Sequence, residues 1–133
     1  MPFYTTANMT TIRGGKWKME EELDYVANDG TFIRVPRGFV HDLASIPRPL
    51  NLLFRVNGDH REAAILHDYA YANLGKVSSL KPLTRQECDL LFLEAMHSML
   101  VNRATASSMY YAVRWFGWFA WNAHKNKNNS AAN

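Results

Sequence analysis

The apolar positions of this chain fall into two regimes. Up to about residue 40 they lie in short β-prone runs. Tyr25-Val26-Ala27 leads into Asn28-Asp29-Gly30, and Thr31-Phe32-Ile33-Arg34-Val35 follows. Asp-Gly between such runs marks a tight hairpin turn. Trp17 to Leu23 reads as an extension of the incoming strand, with Glu20, Glu21, Glu22 and Asp24 on a solvated edge. From Asp59 onward the spacing is helical. Asp59 and Glu62 make a capping box, and Gly75 stands where a left-handed cap is wanted. Thr84 and Glu87 make a second box and open a helix that runs to about Leu100. Ala104 to His124 forms the third helix. Between Met109 and Trp121 it holds one charge, Arg114, and is apolar on all sides, as in a central or partner-covered helix.

The pattern predicts an α+β fold in one domain over residues 1–124. An irregular arm or weak first strand (1–15) precedes a β-hairpin or small antiparallel sheet (16–40). A proline-rich loop with a short helical piece (41–58) then leads to a three-helix core (59–124). Pro47 and Pro49 stiffen that loop, and Pro36 stiffens the approach to it. The polar residues 125–133 read as a disordered tail.

Composition narrows the classes. At 47% hydrophobic and 20% charged residues, the chain has enough apolar material to fold around a core. The net charge of +3 comes from dispersed Lys and Arg residues and does not argue for nucleic acid. A single cysteine, Cys88, excludes an internal disulfide framework and fits a reducing compartment. The N-terminal residues lack the basic start and apolar run of a signal peptide. No run reaches the ~20 apolar residues of a membrane span.

The chemistry concentrates on the first predicted helix. Helical spacing aligns His60, Ala64, His67 and Tyr71 on one stripe. A histidine, an acid and a tyrosine on an otherwise apolar helix are unfavourable to bury without partners. His67 and Asp68 point about 100° apart on a helix, so they serve different jobs. His67 takes a proton from water if another carboxylate holds its far nitrogen. Asp89, on the next helix, is the natural orienter, and Asp68 is left for a hard cation. A nucleophilic triad from Ser45, His67 and an acid is a second reading, weakened by the lack of a G-x-S-x-G elbow. A transition-metal site from His41, Asp42, His60, His67 and Asp68 is a third, and Arg61 beside His60 is a further candidate. The aromatics Trp115, Trp118, Phe119 and Trp121 suit core or oligomer packing. Followed by His124, Lys125 and Lys127, they also suit a membrane surface.

Two resemblances add expectations. The segments V-P-R-G-F-V-H-D-L-A-S-I-P-R, A-A-I-L-H-D-Y-A-Y, Q-E-C-D-L-L-F-L-E-A-M and M-Y-Y-A-V-R-W-F-G resemble a phage and prophage family, the domain of unknown function numbered 1353. That resemblance implies a bacteriophage setting, in the virion or the host cytoplasm. A-A-I-L-H-D-Y-A-Y is also similar to the H-D-x-x-Y helix of calcium-dependent secretory and viral capsid phospholipases. The likeness implies His67 as base, Asp68 as calcium ligand, and Tyr71 and Asp89 as supports of the histidine; Asp42 is a further metal candidate from the residues alone. It favours Ca2+ over Zn2+. The chain departs from those enzymes in lacking their disulfides and a glycine-rich calcium loop. The expectation is a metal-assisted hydrolase of ester or amide bonds in lipid or cell wall. The alternative is a non-enzymatic virion component that binds other phage structural proteins, or itself, through the aromatic helix.

Overall fold

The computed structural model describes residues 9–12, 16–41, 61–78, 81–99 and 101–132. Strands β1 (Met9–Ile12) and β2 (Lys16–Met19) pair antiparallel. A bend at residues 20–21 then separates β2 from β3 (Leu23–Val26), which forms a hairpin with β4 (Phe32–Val35). The short strand β5 (Val40–His41) returns to β2, so the sheets are β1-β2-β5 and β3-β4.

The Asn28-Asp29-Gly30 turn lies where the sequence places it. Gly30 has φ 91°, and the Asp29 carboxylate accepts from the Thr31 amide at 2.9 Å. Side chains alternate across the hairpin as a two-residue period requires. Leu23, Tyr25, Ile33 and Val35 are buried, while Arg34 reaches across the outer face to Asp24 with bonds of 2.7 and 3.0 Å. The expected continuous strand from Trp17 to Leu23 is not formed. Met19 instead bonds the returning chain, donating to the Phe39 carbonyl at 2.9 Å and accepting from the Gly38 amide at 2.8 Å. Gly38, at φ 89°, permits that return. The pairing places β2 in the other sheet and turns the acidic Glu20–Glu22 stretch into a bend.

The first helix, α1 (Arg61–Ala72), ends in a Schellman motif. The Gly75 amide donates to Ala70 and the Leu74 amide to Tyr71, at 2.8 and 3.0 Å. Both Leu74 (φ 51°) and Gly75 (φ 80°) are left-handed, so the cap begins one residue before the expected glycine. The Leu83 backbone lies directly against Gly75, where a Cβ would collide with it. The expected N-terminal cap at Asp59, the proline-rich loop from residue 42 onward and the helical piece near Leu50 lie outside the described residues.

Helix α2 (Arg85–Ser98) opens on the predicted capping box. Thr84 accepts from the Glu87 amide at 3.1 Å, and Glu87 accepts from the Thr84 amide at 2.9 Å. Two helices stand where one was expected. Asn102 caps α3 (Arg103–Phe116), and α4 (Trp118–Ala132) follows after Gly117. Helix α4 also runs through residues 125–132, in place of the expected disordered tail.

One core joins the hairpin to the helices. Tyr25, Ile33 and Val35 pack with Ala63, Leu66, Phe92, Met96, Met109 and Val113. Glu94 on α2 pins the hairpin by accepting from the Tyr25 hydroxyl at 2.6 Å and the Asn28 amide at 2.8 Å. The fold is therefore α+β, with four helices among the described residues. None of them is long and apolar enough to cross a membrane.

Candidate active site

A fully buried carboxylate with several polar partners stands at Asp89, in the second turn of α2. Oδ1 lies 2.7 Å from His67 Nε2 and accepts from the Tyr71 hydroxyl at 2.6 Å. Oδ2 accepts from the Arg114 guanidinium at 2.7 Å, with Arg85 at 3.5 Å. Three helices thus meet at one carboxyl group. His67 and Tyr71 are one turn apart on α1, so both face α2; Arg85 and Asp89 are one turn apart on α2; Arg114 comes from the last turn of α3.

The electrostatics follow from this geometry. Burial pushes the Asp89 carboxyl up, but the bond and charge of His67 and the bonds from Tyr71 and Arg114 outweigh it. The group is held below the usual carboxylate range. An ionised carboxylate only accepts, which makes His67 Nε2 the donor. In the neutral imidazole the basic lone pair is then on Nδ1. The Tyr71 phenol is shifted strongly upward, first by burial and then by its bond to Asp89, so it stays protonated and donates. The His67 ring is buried between Tyr71 and Phe92, with ring centroids at 4.3 and 4.7 Å. A ring packed against two neighbouring rings and bonded at one nitrogen has a fixed orientation.

Arg85 extends the network into the backbone. It donates to the carbonyls of Val113 and Arg114, both at 3.0 Å, and to the Tyr71 hydroxyl at 3.3 Å. The α3 carbonyls it satisfies lie near the helix C-terminus, where a cation is favourable. Gly117 completes the enclosure. A Cβ there would collide with the Val113 carbonyl and come 2.6 Å from the Tyr71 hydroxyl and 3.2 Å from the ring edge. Trp121 lies edge-on to Tyr71 at 5.2 Å.

The structure thus brings together His67, Tyr71 and Asp89, three of the residues that sequence spacing singles out. Asp68 is 9% exposed and is not among the groups on Asp89. Asp42, Ser45 and His60 lie outside the described residues, and only the backbone of Arg61 is described. Among the described residues no three His, Cys, Asp or Glu side chains gather as metal ligands. Asp68 alone does not make a site for calcium, which takes six to eight oxygens. Trp115, Trp118 and Phe119 are exposed, as an interface requires, at 73%, 45% and 59%. Trp121 is partly buried, edge-on to Tyr71.

Sequence reasoning missed Arg85 and Arg114 as parts of this site. The signal for Arg114 was present, as the one charge in an aromatic helix. Arg85 stands four residues before Asp89 on the same helix face, a spacing that pairs opposite charges.

Fold and site define a small α+β protein built around a buried His–Asp–Tyr cluster braced by two arginines. The chain belongs to the family described as protein of unknown function (DUF1353), whose model matches residues 17–113. No curated protein matches the chain. No solved structure matches it either.

Proposed function

We propose that the chain is a small phage-encoded hydrolase of ester or amide bonds in the host envelope, with His67 as its general base. The observation that carries this reading is the 2.7 Å bond between His67 Nε2 and a carboxylate that is itself held by Tyr71 and Arg114. In the reaction, Nδ1 takes a proton from water as its oxygen attacks the carbonyl carbon. Asp89 stabilises the imidazolium through the Nε2–H bond. The imidazolium then returns the proton to the departing alcohol or amine as the carbon–heteroatom bond breaks. Tyr71, Arg114 and Arg85 position the base without touching the substrate. Lipid and cell wall are the proposed substrate classes, on the likeness of H-D-x-x-Y to the phospholipase helix. Asp68 is the described oxygen donor for a calcium ion beside His67. No step is routed through a metal.

The experiment is release of fatty acid from phospholipid, and of fragments from peptidoglycan, by wild type and His67→Gln. Turnover by wild type that the variant lacks supports the reading. No turnover of either substrate, with and without Ca2+, counts against it.

One observation favours a second reading, a non-enzymatic virion component. His67 and Asp89 are both fully buried, and Arg85 ties the same cluster to the backbone of α3. A network of that kind fixes how three helices pack. In that case His67→Gln lowers stability and leaves no activity to lose.

A further inference from the structure

Helices α3 and α4 carry a row of large apolar side chains that the core does not use. Tyr111, Trp115, Phe116, Trp118 and Phe119 are each 45–73% exposed. The row is nearly continuous. The Gly117 amide donates to the Val113 carbonyl and the Trp121 amide to the Gly117 carbonyl, carrying the helical bonding through the junction. Steps of three and four residues therefore align Tyr111, Trp115 and Trp118, with Phe119 beside them and Phe116 at the edge of the buried side. The opposite side of α3, Ala106, Met109, Ala112 and Val113, is buried. Trp118 and Phe119 stack on each other, with ring centroids 3.8 Å apart.

Charge identifies what this row meets. Glu94 is the last acid of the chain; every charged residue after it is a cation. Arg103 stands at the start of α3, and Lys125 and Lys127 lie in α4 beyond the aromatics. Two copies of this surface would set cations against cations, which opposes self-association through it. Single-stranded nucleic acid is bound by cations interleaved with stacking rings. Here the rings form the middle and the exposed cations flank them. Tryptophan and tyrosine between basic flanks match the boundary of an anionic bilayer, where rings enter the headgroup layer and cations meet lipid phosphates.

We infer that the Tyr111–Phe119 face of α3 and α4 docks the protein on an anionic lipid surface, with Arg103 and Lys125 on the headgroups. The inference rests on surface and charge, not on the hydrolase reading, and its readout is binding alone.

The test is sedimentation of the full chain with vesicles of phosphatidylcholine, with and without phosphatidylglycerol. Tryptophan emission is recorded on the same samples. Binding to the anionic vesicles with a blue shift is expected, weakening as salt is raised. The double variant Trp115→Ser, Trp118→Ser lowers partitioning about tenfold or more. Lys125→Gln weakens it on anionic vesicles. Because these side chains are exposed, circular dichroism of both variants should match wild type. Absence of partitioning into either vesicle overturns the inference. So does tighter binding to single-stranded polythymidylate lost in the same variants, or a wild-type dimer in light scattering that the tryptophan variant dissolves.

Discussion

At the scale of single residues, the protein turns on how Asp89 stays charged without water. Its two oxygens have four partners, and removing one leaves part of a buried charge uncompensated. Arg114→Met should destabilise the fold by roughly 1.5–3 kcal/mol, the range for a hydrogen bond to a charged group. Chemical denaturation checks this. The pH dependence has a definite sign. Asp89 titrates below its ordinary value in the folded state and near ~3.9 when unfolded. Its contribution is thus complete above the unfolded value and is lost as pH falls toward the folded one. Wild type should lose stability below about pH 5 more steeply than Asp89→Asn. Equal acid slopes in denaturant midpoints would contradict the assignment. The single thiol behaves oppositely. Burial first, then the neighbouring Asp89 and Glu87 charges, raise Cys88 to about 12, so thiol reagents should modify it only on unfolding.

At the scale of elements, the glycines show what sequence reading reaches and what it misses. Gly117 lies between two helices with φ −64°, a backbone conformation that alanine adopts freely. By helix preference alone, Gly117→Ala should stabilise by about 0.5–1 kcal/mol. The Val113 carbonyl and the Tyr71 hydroxyl occupy the space that the methyl needs. We expect a lower melting temperature for Gly117→Ala, and a higher one would show that the Val113 backbone and Tyr71 both yield easily. The hairpin turn, the Thr84–Glu87 box and the helical register of His67 and Tyr71 were legible because each is local. The transfer of Lys16–Met19 to another sheet was not, because it depends on Phe39 and Gly38, some twenty residues downstream. The junction at Gly117 was hidden for the same reason, since its neighbour Tyr71 is on another helix. The helix over 125–132 was missed because a polar Asn- and Lys-rich stretch has no apolar period to read.

At the scale of the whole molecule, the site is an intersection of helices. Asp89 was legible as the orienter of His67, because an acid on the buried face of a helix needs a partner. Arg85 and Arg114 were not assigned to it, since a cation's reach across helices leaves no mark in local spacing. Three helices converge on one carboxylate, and the hairpin is clamped to α2 separately through Glu94. Damage at one cluster should leave the other intact. Glu94→Gln should cost about 1 kcal/mol and leave any turnover unchanged, as paired melting and activity curves would show.

The measurement that bears most directly on His67 as a base compares turnover with stability in His67→Gln, Tyr71→Phe and Arg114→Met. All three changes disturb the Asp89 cluster, and only the first removes the imidazole. General-base catalysis predicts that His67→Gln loses roughly 10²–10⁴ in turnover, far more than its loss of stability explains, while the other two lose turnover in step with stability. If all three fall on one line of turnover against stability, the imidazole has no chemical role and the cluster serves packing alone.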